Sequence, residues 1–262
     1  MAASLLACAA YAAAAMPERM AGGLRAAIGI GWIAHAIAIA IDTSGLGTPS
    51  GAARFGFAPA LSVTLWLVIG VYLLETRFVP LPNVRRTLAV LGLLAVGLAL
   101  VFPGEVRPQF ASRWAPLHWV IGIASYGLFG VAVLHAVLMN RADRRMRLQP
   151  GGGVQPGYPV GSMPLLRLER LTFRFVGAGF IVLTVALVLG WWDADPWRWD
   201  HKTVFSMLGW LVFAGLLLGR QVFGWRGRRA THWVYAGAVL LLLAYMGSRF
   251  VMEVVLQRAA SA

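Results

Sequence analysis

Eight apolar stretches, at about residues 2–16, 22–42, 57–75, 87–103, 117–139, 172–191, 203–219 and 233–252, recur along the chain, parted only by segments holding Pro, Gly or Arg. Crossing a hydrocarbon core of about 30 Å as a helix takes roughly 17–25 such residues, and most of these stretches are long enough. The chain is 59% hydrophobic and only 13% charged, against about 25% charged in an ordinary soluble domain. With a mean hydropathy of +0.72, its solvent is lipid. The expected fold is all-α: a polytopic membrane helix bundle of about eight transmembrane helices, forming a single integral domain over 1–262.

The net charge of +13 comes from 22 Arg and Lys202 set against ten acidic residues. Sixteen of these 23 basic residues fall in the connections after the first, third, fifth and seventh spans. Cytoplasmic connections carry the excess of Arg and Lys, so this bias predicts that both termini are periplasmic, in the inner (cytoplasmic) membrane of a bacterium. Orientation and anionic headgroups account for the basic balance, and no nucleic-acid partner is implied. The N-terminal MAASLLACAAYAAAAM resembles a signal-peptidase site and, loosely, a lipoprotein box, but lacks the positive leading region of either. It reads as a short first span. Cys8 is the single cysteine, so no intramolecular disulfide or cysteine-built metal site is available.

Two connections stand apart. Residues 140–171 combine a basic run, RADRRMR, with a Gly/Pro-rich stretch and read as a flexible basic cytoplasmic loop. Residues 190–202, GWWDADPWRWDHK, form a periplasmic loop holding four of the 11 tryptophans. An interfacial aromatic belt is spread over many helix ends; a concentrated shelf suits a flat, conjugated ligand.

An ionisable side chain at membrane depth is expensive and marks a candidate site. His35 lies in the outer half of the second span, and His118 and His201 begin the fifth and seventh, so three of the five histidines converge on the periplasmic side. His135 and His232 lie toward the cytoplasmic ends of their spans and read as snorkelling or helix-terminus residues. Haem suits the outer set. Its faces want aromatic side chains, here Trp191, Trp192, Trp197 and Trp199, and its iron takes imidazole in axial positions. Its propionates want cations such as Arg198, Lys202, Arg113 and Arg54. Asp200 and its neighbours supply carboxylates able to hold the second nitrogen of a ligating imidazole. The iron ligands expected are His118 and His35, with His201 in reserve should the second span face elsewhere, and the haem b-type.

Three stretches, LHWVIGIASYGLFG from Leu117, WRWDHKTVFSMLGWLVF from Trp197 and GWRGRRATHWVYAGAVLLLLAYMGSRFV from Gly224, resemble the CcsA-type, WWD-domain family of cytochrome c assembly proteins, most nearly its YpjD-like and HemX-like branch. The resemblance implies haem handling at a periplasmic tryptophan-rich surface flanked by histidines, with His118 preceding the pair Ser125-Tyr126. It departs from the fuller pattern at Leu218 and at Met246–Phe250, where the family has histidines, and at Asp193-Ala194, which stands in for Trp-Gly. A haem-exporting synthetase is therefore not expected.

The function expected is a non-enzymatic one, holding or presenting haem during assembly of cytochrome c or another haem protein, with cytochrome c biogenesis proteins as partners. The alternatives are a membrane regulator that contacts a haem-biosynthetic enzyme through the 141–174 region, and a cation or metal-tolerance transporter using the histidines with Asp193, Asp195 and Asp200. No Ser/His/Asp set, phosphate-binding glycine loop or HExxH pattern suggests an enzyme.

Overall fold

A computed structural model of the chain describes residues 1–17, 23–46, 54–77, 84–106, 114–148, 165–193, 199–251 and 254. Its helices are α1 (Ala2–Ala14), α2 (Leu24–Ser44), α3 (Phe57–Glu75), α4 (Val84–Val101), α5 (Ala115–Leu148), α6 (Leu165–Asp193), α7 (His201–Phe223) and α8 (Gly227–Leu242). The last runs on through a π-helical turn, Leu243–Gly247, into Ser248–Phe250. A two-residue antiparallel ladder pairs β1 (Arg54–Phe55) with β2 (Glu105–Val106). Seven of the helices are long and apolar enough to cross a membrane, and α1, at 13 residues, is shorter. The molecule is thus the expected polytopic membrane helix bundle.

Consecutive helices pack as hairpins, α1 on α2, α3 on α4, α5 on α6 and α7 on α8, with α3 against α5 joining the two halves. The chain therefore alternates between two faces. Met1, Asp42, Pro59 and Pro103 line one cavity at the N-terminal face. At the opposite, arginine-rich face, Arg85 at the start of α4 reaches the carbonyl of Met16, and Asn140 of α5 bonds Tyr235 near the start of α8.

The segment 140–171 is helical over 140–148 and 165–171, while 149–164 lie outside the described residues. The helices outrun the apolar stretches because RADRRMRL and LLRLERL contain mostly strong helix formers, with no breaker before Pro150. At about 1.5 Å per residue, α5 is some 50 Å long and projects well beyond the hydrocarbon layer.

Two large interior clusters hold the bundle, beside a smaller one around Ala60 and Met246. Tyr11, Ile28, Ile69, Leu88 and Val131 centre the first, among α1–α5, and Phe129, Val176, Phe213, Leu216, Val234 and Leu241 the second, among α5–α8. In lipid, helix association rests on close packing rather than on exclusion of water, and the contacts are correspondingly tight. Phe129 and Phe213 stack with centroids 3.9 Å apart. Trp32 and Trp66 stack at 5.1 Å, and each indole N–H donates to the other residue's carbonyl, at 3.0 and 3.1 Å, a reciprocal clasp between α2 and α3.

Where α5 crosses α3, Gly127 and Gly130 let the helices approach. A Cβ at either would stand 2.8 Å from Leu67 Cδ1 or Val68 Cγ2 respectively. Gly130→Val is expected to destabilise by about 1–3 kcal/mol through overpacking, seen as a lowered Tm in detergent. Gly97→Ala, where no atom lies within 4 Å, should leave Tm unchanged or slightly raised.

Candidate functional site

At the N-terminal face, the ends of α5, α6 and α7 bring together His118, the tryptophans closing α6, and Asp200–Lys202. His118 enters from the first turns of α5 and is half-buried against α6. Gly190 makes that position available, since a Cβ there would lie 2.9 Å from His118 Cε1. The Ala186 backbone lies close to the imidazole, whose Nδ1 is buried without a hydrogen-bond partner among the described residues. A buried ring nitrogen that no protein group answers is free to take a ligand. Asp193 and Lys202 are near enough to act on it electrostatically.

The next two residues of α6, Trp191 and Trp192, are 68% and 84% exposed, and Trp199 before α7 is 71% exposed. Large indoles so open at a helix end form a presentable aromatic surface, amphipathic in the way interfacial tryptophans are. Trp197, Arg198, Arg113 and Asp195 lie outside the described residues.

His201 is exposed as the first residue of α7. Asp200 caps that helix, its Oδ1 accepting from the Thr203 N–H at 2.8 Å and from the Thr203 hydroxyl at 2.9 Å. Partial burial pushes the Asp200 carboxyl up, but the two bonds from Thr203 and the charges of Lys202 and His201 outweigh it and hold the group below the usual carboxylate range.

His35 occupies a different setting. It is 1% exposed, with Tyr11 Oη 3.2 Å from Nδ1 and Ser62 Oγ 2.6 Å from Nε2. A neutral imidazole has one donor and one acceptor nitrogen, so one hydroxyl donates to the ring and the other accepts from it. The ring edges a cavity of about 240 Å³ that also meets Ser4, Asp42, Arg54 and Ser62. Every described residue lining this cavity comes from the first 103. His35 and Arg54 therefore face a chamber among α1–α4, while His118 faces α6. The second span faces elsewhere than His118.

Two features had no counterpart in the sequence reading. Tyr11 and Ser62 are 24 residues before and 27 after His35, and nothing in the local pattern pairs them. His135, read as a snorkelling residue, is fully buried. Its Nδ1 donates to the Val131 carbonyl at 2.9 Å, its Nε2 lies 3.1 Å from Glu75 Oε2, and its ring stacks on Phe175. A half-buried carboxylate closing α3 was the available signal, since a charge there calls for a partner from a neighbouring helix. His232 is exposed, as expected.

The cap is open to a direct test. Asp200→Ala is expected to cost about 1 kcal/mol. Because the folded carboxyl titrates below its unfolded value, the wild type's advantage is complete at neutral pH, persists down to about pH 4, and is lost as pH falls through the depressed folded value. Thermal melts of both proteins across that range check it.

Comparison with known proteins bears on what such a surface belongs to. The sequence profile of the cytochrome c assembly protein family matches residues 56–256. The cytochrome c biogenesis protein CcsA of Prochlorococcus marinus is 24% identical over 222 residues, covering 73% of this chain and 70% of that protein. CcsA of Parasynechococcus marenigrum is 28% identical over 217 residues, covering 72% and 71%. The inner membrane protein YpjD of Escherichia coli is 29% identical over 167 residues, 62% of each chain. No solved structure matches. The match takes in α3 through α8, including the His118 pocket and the tryptophans that close α6, and with it the chain belongs to the cytochrome c assembly protein family.

Proposed function

We propose that this protein holds or presents haem at its N-terminal face in the service of cytochrome c assembly, without itself catalysing a covalent step. The observation that carries the reading is His118, a half-buried imidazole packed on Gly190 with its Nδ1 unpartnered, beside exposed Trp191 and Trp192. Its family and the names of its relatives support the same role. Haem supplies an iron that accepts imidazole nitrogen and two broad apolar faces. His118 would offer the ligand, the indoles of Trp191, Trp192 and Trp199, with Trp197, the stacking surface, and Lys202 with Arg198 the charge complement to propionates. Asp200 fixes the start of α7 and thereby the placing of His201, the second ligand favoured by His35's confinement among α1–α4. With Cys8 as the single cysteine, the two thioether bonds of a typical c-type attachment are not available, and the haem is read as b-type.

The same reading sets the N-terminal face in the periplasm of a bacterial inner membrane, because the opposite face carries the arginine excess. A cysteine introduced at Gly152, in a chain whose Cys8 is replaced by Ser, is expected to resist a membrane-impermeant maleimide in intact cells and to react after permeabilisation; labelling in intact cells would reverse the orientation. The cation-path alternative gains no support, since no group of three or more His, Cys, Asp or Glu converges among the described residues.

Purified protein titrated with hemin is expected to develop a shifted Soret band and, on reduction, sharp α and β bands. His118→Ala and His201→Ala should abolish them and His35→Ala should not. Loss in His35→Ala alone would move the site to the cavity among α1–α4, and a wild type that ignores hemin would overturn the reading.

A further inference from the structure

On the arginine-rich face, α5 and α8 enclose a second cavity, of about 210 Å³, with no part in the site above. Asn140, Arg141 and Arg144 line it from α5 and Arg228, His232 and Tyr235 from α8. Asn140 fixes the two helices together, its Nδ2 donating to Tyr235 Oη at 3.0 Å and to Thr231 Oγ1 at 3.4 Å. Because the Tyr235 oxygen accepts from Asn140, its own O–H proton has no acceptor among the described residues and remains available to whatever enters.

The cations around this cavity divide into two sets. Arg226 lies 3.8 Å from Glu169, Arg229 covers the Trp225 ring at 4.3 Å, and Arg220 covers Phe173 at 3.5 Å. The guanidinium groups of Arg141, Arg144 and Arg228, the three that line the cavity, have no ion pair, hydrogen bond or ring contact among the described residues. Asp143, also at the lining, has an interaction of its own.

The backbone adds to the imbalance. α8 begins at Gly227 with no side-chain cap and no acidic residue in its first turn, so its positive dipole end carries Arg228 and Arg229 rather than the carboxylate that would stabilise it. Positive charge from two helices thus outnumbers Asp143, the single carboxylate among the described residues around the pocket, near the end of the apolar part of α5.

We propose that this cavity is a binding site for the phosphate of an anionic phospholipid headgroup in the adjoining leaflet. Guanidinium forks match phosphate oxygens in geometry and charge, and basic pockets between helix ends at the membrane surface are suited to such headgroups. The Tyr235 hydroxyl and the Asn140 amide give the site its shape, and Arg141, Arg144 and Arg228 its charge. A bound headgroup would join α5 to α8 and neutralise the first turn of α8. A soluble phosphate compound presents the same oxygens, and the test separates the two sources.

The test uses the full chain in neutral detergent and reads the rise in Tm on adding phosphatidylglycerol, phosphatidylcholine or inorganic phosphate. The wild type should be stabilised by phosphatidylglycerol and not by phosphatidylcholine. Arg141→Gln/Arg144→Gln/Arg228→Gln should require at least tenfold more phosphatidylglycerol, and Tyr235→Phe, which keeps every charge, roughly three- to tenfold more. Arg77→Gln/Arg86→Gln/Arg170→Gln, which removes as many exposed charges elsewhere on this face, should respond as the wild type does. Stabilisation by inorganic phosphate alone, abolished in the first variant, would support the site and assign it to a soluble phosphate. An unchanged response in the first variant, or an equal loss in the Arg77/Arg86/Arg170 control, would overturn the proposal.

Discussion

A hydrocarbon layer hydrates nothing, so every polar group carried into it must be answered by another part of the protein. That single requirement orders the interior. The buried hydroxyls of Thr64, Ser125 and Thr172 are answered within their own helices, each donating to a carbonyl three or four residues back at 2.7–2.9 Å. Histidines cannot all be satisfied that way, because an imidazole has two nitrogens pointing apart. His35 takes its partners from α1 and α3, and His135 takes one from its own helix and one from α3. These residues therefore fix which helices are neighbours, and His118 differs from both in keeping its buried Nδ1 without a partner among the described residues.

The two halves of the bundle are put to different uses. In α1–α4 the polar groups are turned inward on one another, through the Tyr11–His35–Ser62 series and the Trp32–Trp66 clasp. In α5–α8 some are paired at mid-span, as Trp210 with Thr184, while His118 and the indoles stand at one face and the arginines at the other. α5 belongs to both, giving Val131 to one cluster and Phe129, Ala132 and Ala136 to the other. Close packing through Gly127 and Gly130 makes it the shaft on which the halves meet.

The helices were legible in the sequence because lipid-facing and core-facing positions are both apolar, so whole spans stand out. Their ends were less so. Hydropathy stops near Asn140, but Arg141–Leu148 stay helical, in keeping with their intrinsic preference. The tryptophan surface was legible because Trp191, Trp192 and Trp199 are close in sequence. The surroundings of His35 were not, since depth in a span says nothing of which face a residue occupies, and Tyr11 and Ser62 come from distant segments. The burial of His135 was hidden for the same reason: its partner Glu75 is 60 residues earlier, at the far end of another hairpin.

The π-helical turn at Leu243–Gly247 amounts to one surplus residue in an otherwise regular helix. An extra residue turns all that follows by about 100°, and so sets the side of the helix from which Arg249 reaches Glu105, 3.5 Å away. Tyr126 secures the entrance to that turn by donating to the Leu241 carbonyl at 2.7 Å. Residue-by-residue equivalence with a relative whose last helix is uninterrupted would therefore slip by one position beyond the turn, and a side chain missing from its expected column there has to be sought one place along.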